Sequence, residues 1–272
     1  MTRVRILGVA QDAGIPHVGC SCQNCERHRD APLHVACLGI VADSGKTYLI
    51  DATPDLPHQI RMLPEFPSGI FLTHAHYGHY TGLMHLGREG MGTPNVPVYS
   101  TQKMRKFLRG NAPWELLERH RHVDYQALSG NKGSWEFEPA LSIEWAQVPH
   151  RNEYADTVAF TVRALHGKSL LFLPDIDAWP SGEPANLLKG CDIALIDGSF
   201  FTREELGPRG ADVPHPPIRE TLDRLKPEQA EKVRFLHFNH TNPVLDPDSN
   251  ARAEIEAAGA GVALQGDWID LG

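Results

Sequence analysis

The stretch GIFLTHAHYGHYTG, residues 69–82, places three histidines directly behind a short apolar run. Ile70, Phe71 and Leu72 predict a buried β-strand that gives way to a loop near Thr73. Successive side chains alternate in an extended segment, so His74 and His76 point the same way, while His79 lies one turn further on. Imidazole is the commonest metal-binding side chain, and this spacing is able to grip two adjacent ions.

The same device recurs outward along the chain. LSIEWAQVP (141–149) runs into His150, SLLFLP (169–174) into Asp175, IALI (193–196) into Asp197 and VRFL (233–236) into His237. One strand ending in a metal-competent side chain means little; five, at one edge of a common sheet system, are what a site grafted on a rigid scaffold requires. Further strands are predicted from VRILGVA (4–10), CLGIVAD (37–43), TYLID (47–51), VPVYS (96–100), TVAFTVRAL (157–165) and GVALQGDWIDL (261–271). Helices are predicted around TGLMHLGRE, TQKMRKFLRG, PWELLERH, PPIRETLDRLK and DSNARAEIEAAG, the last capped by Asp248 or Ser249 and stopped at Gly259. The mixture predicts an α+β fold: two sheets face to face with helices outside, as a single domain over residues 1–272.

Composition narrows the partners. With 272 residues, 41% of them hydrophobic, the chain is able to bury a sizeable core. A net charge of -8 and a pI near 6.0 argue against a nucleic acid as the main partner, because counterion release needs clustered Lys and Arg. The basic stretch TQKMRKFLRG reads as a solvated helix face. No apolar run reaches the roughly 18 residues of a membrane span, and MTRVRILGVAQDAG shows no export signal. A cytoplasmic protein without membrane contact is expected, with a homodimer as the default assembly.

Against this background THAHYGH (73–79) resembles the His-x-His-x-Asp-His signature of the metallo-β-lactamase superfamily, and the strand-end ligands follow in that family's order. The resemblance implies an αββα sandwich of two mixed sheets. It also implies His74, His76 and His150 on a first divalent ion, and His79, Asp175 and His237 on a second, with Asp175 bridging. Zinc, manganese or iron would suit such donors, and two ions sharing a water would lower its pKa and polarise the bond under attack. Gly78 departs from the signature: the family's aspartate is missing, which points to a weakened second ion and a mononuclear or asymmetric centre.

Cys20, Cys22 and Cys25 crowd into GCSCQNC (19–25), too close for a regular disulfide framework. In a reducing cytosol they read as ligands of a structural zinc, which wants a fourth donor; a reduced cluster without metal is the competing reading. His240, three residues after His237, is the expected fourth, clipping the loop at 20–25 to the loop that carries His237. The arrangement resembles the PhnP phosphodiesterases of bacterial phosphonate breakdown, which have a comparable Cys-x-Cys-x-x-Cys loop and His-x-x-His pair. Cys37 and Cys191 sit in apolar runs and read as core.

A second resemblance covers more of the chain. LGVAQDAGIPHVGCSCQNC (7–25), IDGSFFTREEL (196–206) and TNPVLDPDSNARAEIEAAGAGVALQGDWIDL (241–271) are similar to the pyrroloquinoline quinone biosynthesis B family, PqqB. That family typically replaces the first two histidines of the motif, and both are present here. Three functional readings follow. The first is a metal-dependent hydrolase of phosphodiester bonds in a small anionic molecule. The second is a PqqB-like iron-dependent oxygenase or another step of quinone biosynthesis, and the third a non-catalytic metal-binding relative, motivated by Gly78.

Other residues take roles by comparison. His215, in the Pro-flanked ADVPHPP, would protonate an alkoxide leaving group beside Asp175, or is an exposed loop histidine. Asp51 would accept the free ring N–H of a ligand histidine. Asp197 would do the same, face substrate or serve a turn, and Arg151 and Asn152 would meet an anion or merely line a solvated loop.

Overall fold

A computed structural model describes residues 1–179, 184–211 and 213–272. Its strands are β1 (Arg3–Gly8), β2 (Cys37–Val41), β3 (Thr47–Ile50), β4 (Ile70–Phe71), β5 (Val96–Thr101), β6 (Val123–Leu128) and β7 (Lys132–Glu138). Then come β8 (Leu141–Gln147), β9 (Val158–Ala164), β10 (Ser169–Leu173), β11 (Ile193–Asp197), β12 (Val233–Leu236), β13 (Gly261–Val262) and β14 (Trp268–Asp270). They form two seven-stranded sheets, ordered β14-β1-β2-β3-β4-β5-β6 and β13-β12-β11-β10-β9-β8-β7. Strands β3 to β6 run parallel, as do β10 to β13, and the remaining pairs are antiparallel.

The helices are α1 (Gln23–Arg27), α2 (Leu56–Ile60), α3 (Tyr77–Tyr80), α4 (Gln102–Gly110), α5 (Trp114–Arg119), α6 (Ala185–Leu188), α7 (Ile218–Leu222), α8 (Pro227–Ala230) and α9 (Asn250–Ala257). Two layers of core explain the pattern of the strands. Phe71 belongs to the cluster between the sheets, stacked on Tyr99 and edge-on to Phe137 and Phe160. Its neighbour Ile70 joins Leu72, Val98, Met104, Leu108 and Leu117 in a second cluster beneath the helices. A strand covered on both faces has no polar side, which is why GIFL is apolar throughout.

Helix α4 buries Met104 and Leu108 and leaves Lys103, Lys106 and Arg109 exposed, the solvated face expected of it. Ser249 caps α9 by accepting from the Arg252 amide at 3.1 Å, and Gly259 follows the helix at φ 83°. Ser249→Ala should therefore cost about 1 kcal/mol, read as a lower urea midpoint with an unchanged slope.

Four expectations change in detail. Strands β6 and β7 lie in VDYQAL and KGSWEFE, which carry too many polar residues to read as core; β7 is an edge strand whose Lys132, Ser134 and Glu136 face solvent. The run 261–271 is two strands: β13 joins β12 in one sheet and β14 joins β1 in the other, with Gly266 turning the chain at φ 96°. PPIRETLDRLK yields only the short α7. TGLMHLGRE forms a 3-10 helix over Thr81–Leu86, pressed so close to the loop after β3 that a Cβ on Gly82 would lie 2.0 Å from the Thr53 carbonyl oxygen. Among the described residues no helix is long and apolar enough to cross a membrane.

Candidate metal centre

Strand ends deliver the functional side chains to one place. Asp51 follows β3, His74, His76 and His79 follow β4, His150 follows β8, Asp175 follows β10, Asp197 closes β11 and His237 follows β12. Three of the non-glycine residues with left-handed backbone are Asp51 (φ 71°), His215 (φ 125°) and His237 (φ 64°). Such backbone costs on the order of 1 kcal/mol or more and persists where the surroundings enforce it, commonly at functional sites.

His74, His76, His150 and Asp175 offer four donor atoms that all lie within 4.8 Å of one another. His150 Nε2 is 2.9 Å from His76 Nδ1 and 3.4 Å from Asp175 Oδ1, and His74 Nε2 is 3.3 Å from Asp175 Oδ2. A second set shares Asp175: its Oδ2 lies 3.7 Å from the Nε2 atoms of both His79 and His237. Asp12 is the fourth member of that set.

The other nitrogen of every ring is tied to an oxygen. His74 Nδ1 lies 2.9 Å from the Thr73 hydroxyl, His76 Nε2 3.1 Å from Glu153, and His79 Nδ1 2.8 Å from Asp51. His150 Nδ1 lies 2.6 Å from Asp177, and His237 Nδ1 3.1 Å from the Ser199 hydroxyl. Such partners fix ring orientation and tautomer and raise ligand basicity. Asp51 is itself held by the Thr73 amide and hydroxyl, which donate to it at 2.8 and 3.0 Å. We expect Asp51→Asn to weaken binding of the second ion by about 10–100-fold, measured by competition with a metal-sensitive dye.

The chemistry of the donors fits divalent cations. Among the described residues, Asp12 Oδ1, His74 Nε2, His79 Nε2, His237 Nε2 and Asp175 Oδ1 are buried with no hydrogen-bond partner. Left unmet, each costs about 1–3 kcal/mol, and cations between them would satisfy all five. Burial holds the His74 ring well below the usual imidazole range, and the Thr73 hydroxyl, which donates to Asp51, accepts from Nδ1–H and leaves the Nε2 lone pair free. Burial opposes charge on Asp175, but His237, His74 and His215 outweigh it and keep the carboxyl well below the usual range.

His215 is buried, and its Nδ1 sits 2.7 Å from Asp197 and 3.4 Å from Asp175. Burial disfavours its charge, yet Asp197 and then Asp175 push its pKa up to about 9. The exposed-loop reading of His215 is therefore not what the fold shows. Asp197 faces His215 and no metal-competent ring of the two sets; it also accepts from the Ile176 and Ser199 amides. Arg151 and Asn152 are exposed.

The cysteine cluster forms a separate group. Cys20, Cys22 and Cys25 surround His240, their sulfurs 3.4, 3.5 and 3.8 Å from its Nδ1. A tetrahedral zinc bonded at about 2.3 Å to sulfur and about 2.0 Å to nitrogen sets S···N edges of roughly 3.5 Å, so the four donors fit that ion. The Asn24 side chain donates to the His240 and Asn242 carbonyls, fastening the same two loops.

Asp12, of the second donor set, and the ring partners Asp177 and Glu153 are residues that the sequence reading missed. In AQDAG an aspartate beside glycine reads as turn chemistry, and nothing in the linear spacing links it to the histidines.

A two-sheet sandwich with such a cluster at its strand ends defines a class: the chain belongs to the β-lactamase superfamily, whose family model, described as a beta-lactamase superfamily domain, matches residues 46–238. Over its whole length it is similar to the coenzyme PQQ synthesis protein B of Cupriavidus taiwanensis, 26% identical with 100% of both chains covered. Zinc-bound PqqB from Methylobacterium extorquens superposes with a TM-score of 0.80 at 24% identity, covering 99% of this chain and 100% of that one. A diphosphatase from the PhnP family gives 0.71 at 21% identity, covering 98% and 96%.

Proposed function

We propose that the protein is a metal-dependent enzyme, akin to PqqB over its whole length, whose centre hydrolyses a small anionic substrate, with a phosphodiester as the class that fits best. One observation carries the reading: His74, His76 and His150 converge with Asp175 beside a buried, Asp197-held His215. The first three rings with Asp175 would hold one ion, and His79, His237 and Asp175 a second. Bound divalent ions supply Lewis-acid polarisation and ionise water near neutral pH. His215, with Nδ1 engaged by Asp197, would keep a proton on Nε2 for a departing alkoxide. Arg151, exposed next to His150, would attract the anionic substrate. Three thiols around one imidazole suit a structural zinc and a reducing compartment, the cytoplasm.

Purified protein given bis(p-nitrophenyl) phosphate with zinc or manganese should turn over, and His76→Ala should lose that activity. Failure with every divalent metal tried would remove the hydrolase reading. A second reading is a PqqB-like step in quinone biosynthesis with iron in the centre, and the whole-length likeness to PQQ synthesis protein B speaks more directly for it than for phosphodiester hydrolysis. Oxygen uptake by the ferrous protein with tyrosine-containing peptides tests it; uptake no faster than buffer counts against it. Metal retention without turnover in either assay would favour the non-catalytic reading.

A further inference from the structure

The second donor set would be left with His79, His237 and the shared Asp175 if position 78 were its only other source, because Gly78 has no side chain. The structure shows what takes up the space. A Cβ built on Gly78 would lie 2.4 Å from Asp12 Oδ1, 2.6 Å from its Cα and 2.9 Å from its Cβ. A side chain at 78 and Asp12 in its present place therefore exclude one another. Asp12 Oδ1 is 3.2 Å from His79 Nε2 and 3.9 Å from His237 Nε2, and its ligand atom falls within 4.8 Å of every other donor in the set.

Nor is Asp12 a floppy loop residue that happens to lean in. The Gln11 amide donates to the Phe238 carbonyl at 3.0 Å and the Phe238 amide to the Val9 carbonyl at 2.8 Å, stitching its segment to the residue after His237. The Gly14 amide closes a turn onto Gln11 at 2.8 Å, with Gly14 at φ 69°. The side chain as a whole is 35% exposed, but Oδ1 itself is sealed and meets no hydrogen-bond partner among the described residues. Asp12 also precedes the stretch 46–238 that the family model matches, so it stands outside the family's own motif.

We propose that Asp12, carried on the loop after β1, is the fourth donor to the second ion and replaces the carboxylate that position 78 lacks. The centre is then a complete two-ion site assembled from a segment 66 positions away. This rests on the metal-centre reading above, and the test separates the two.

Zinc content after dialysis, and the affinity of each site by titration with cobalt followed in the visible spectrum, should be compared in wild type, Asp12→Asn and Gly78→Ala. Wild type should hold one thiolate-bound ion and two at the histidine centre. Asp12→Asn, nearly isosteric, should keep the thiolate ion and the first centre ion while binding the second at least about 100-fold more weakly. Gly78→Ala, whose Cβ would push Asp12 out of its present place, should weaken the second site in the same way, with its fold checked by circular dichroism. An unchanged second site in Asp12→Asn overturns this inference and leaves the metal centre standing, as does loss of both centre ions together. Wild type holding only the thiolate-bound ion overturns both.

Discussion

Asp175→Asn should empty the histidine centre and lower kcat/KM for bis(p-nitrophenyl) phosphate by at least about 10³-fold, equivalent to about 4 kcal/mol of lost transition-state stabilisation. Asp175 is the one carboxylate common to both donor sets: Oδ2 faces His74, His79 and His237, while Oδ1 faces His150 and His215. The amide keeps the shape, removes the charge and turns N–H donors towards lone pairs that should face cations. Elemental analysis should find the thiolate-bound ion alone. Retention of both centre ions with activity within about threefold of wild type would show that the carboxylate is not what unites the two sets.

If Cys20, Cys22, Cys25 and His240 bind zinc as their geometry fits, Cys25→Ser should abolish that binding and lower the melting temperature by roughly 10 °C. The group joins residues 220 positions apart. A covalent link closing so long a loop is worth about 5 kcal/mol, and a domain of this size loses about 2–4 °C per kcal/mol. Calorimetry beside zinc analysis checks both halves of the expectation. Equal melting temperatures with the ion gone would mean that the Asn24 hydrogen bonds and the Val9–Phe238 pairing hold the two loops without it.

Much of this was legible in the sequence for one physical reason. Strands covered on both faces read as unbroken apolar runs, so the point where GIFL, SLLFLP or VRFL stops marks the sheet edge and places the polar residue there. His74, His76, His79, His150, Asp175 and His237 were legible in this way, and their convergence follows. The fourfold Cys20, Cys22, Cys25 and His240 group was legible from thiol crowding and a missing donor. Strand β7 was not, because an edge strand needs only one apolar face and KGSWEFE alternates weakly. The pairing of Asp197 with His215 was not, because a Pro-flanked loop gives no periodicity from which to read direction. Asp12 was the hardest: its meaning lies in the emptiness of Gly78, and an absence of side chain acquires a cause only once the neighbour that fills the space is known.

The position of β1 between β14 and β2 also bears on when the protein becomes competent. Arg3 pairs with Asp270, and the Gln11 and Phe238 backbones bond to each other, so the segment bearing Asp12 depends on partners that are synthesised more than 220 residues later. Contacts of such sequence separation form late and slowly. Ions would then be expected to enter the histidine pocket only after that pairing has formed, whereas the Cys20–Cys25 thiolates would be open to zinc earlier.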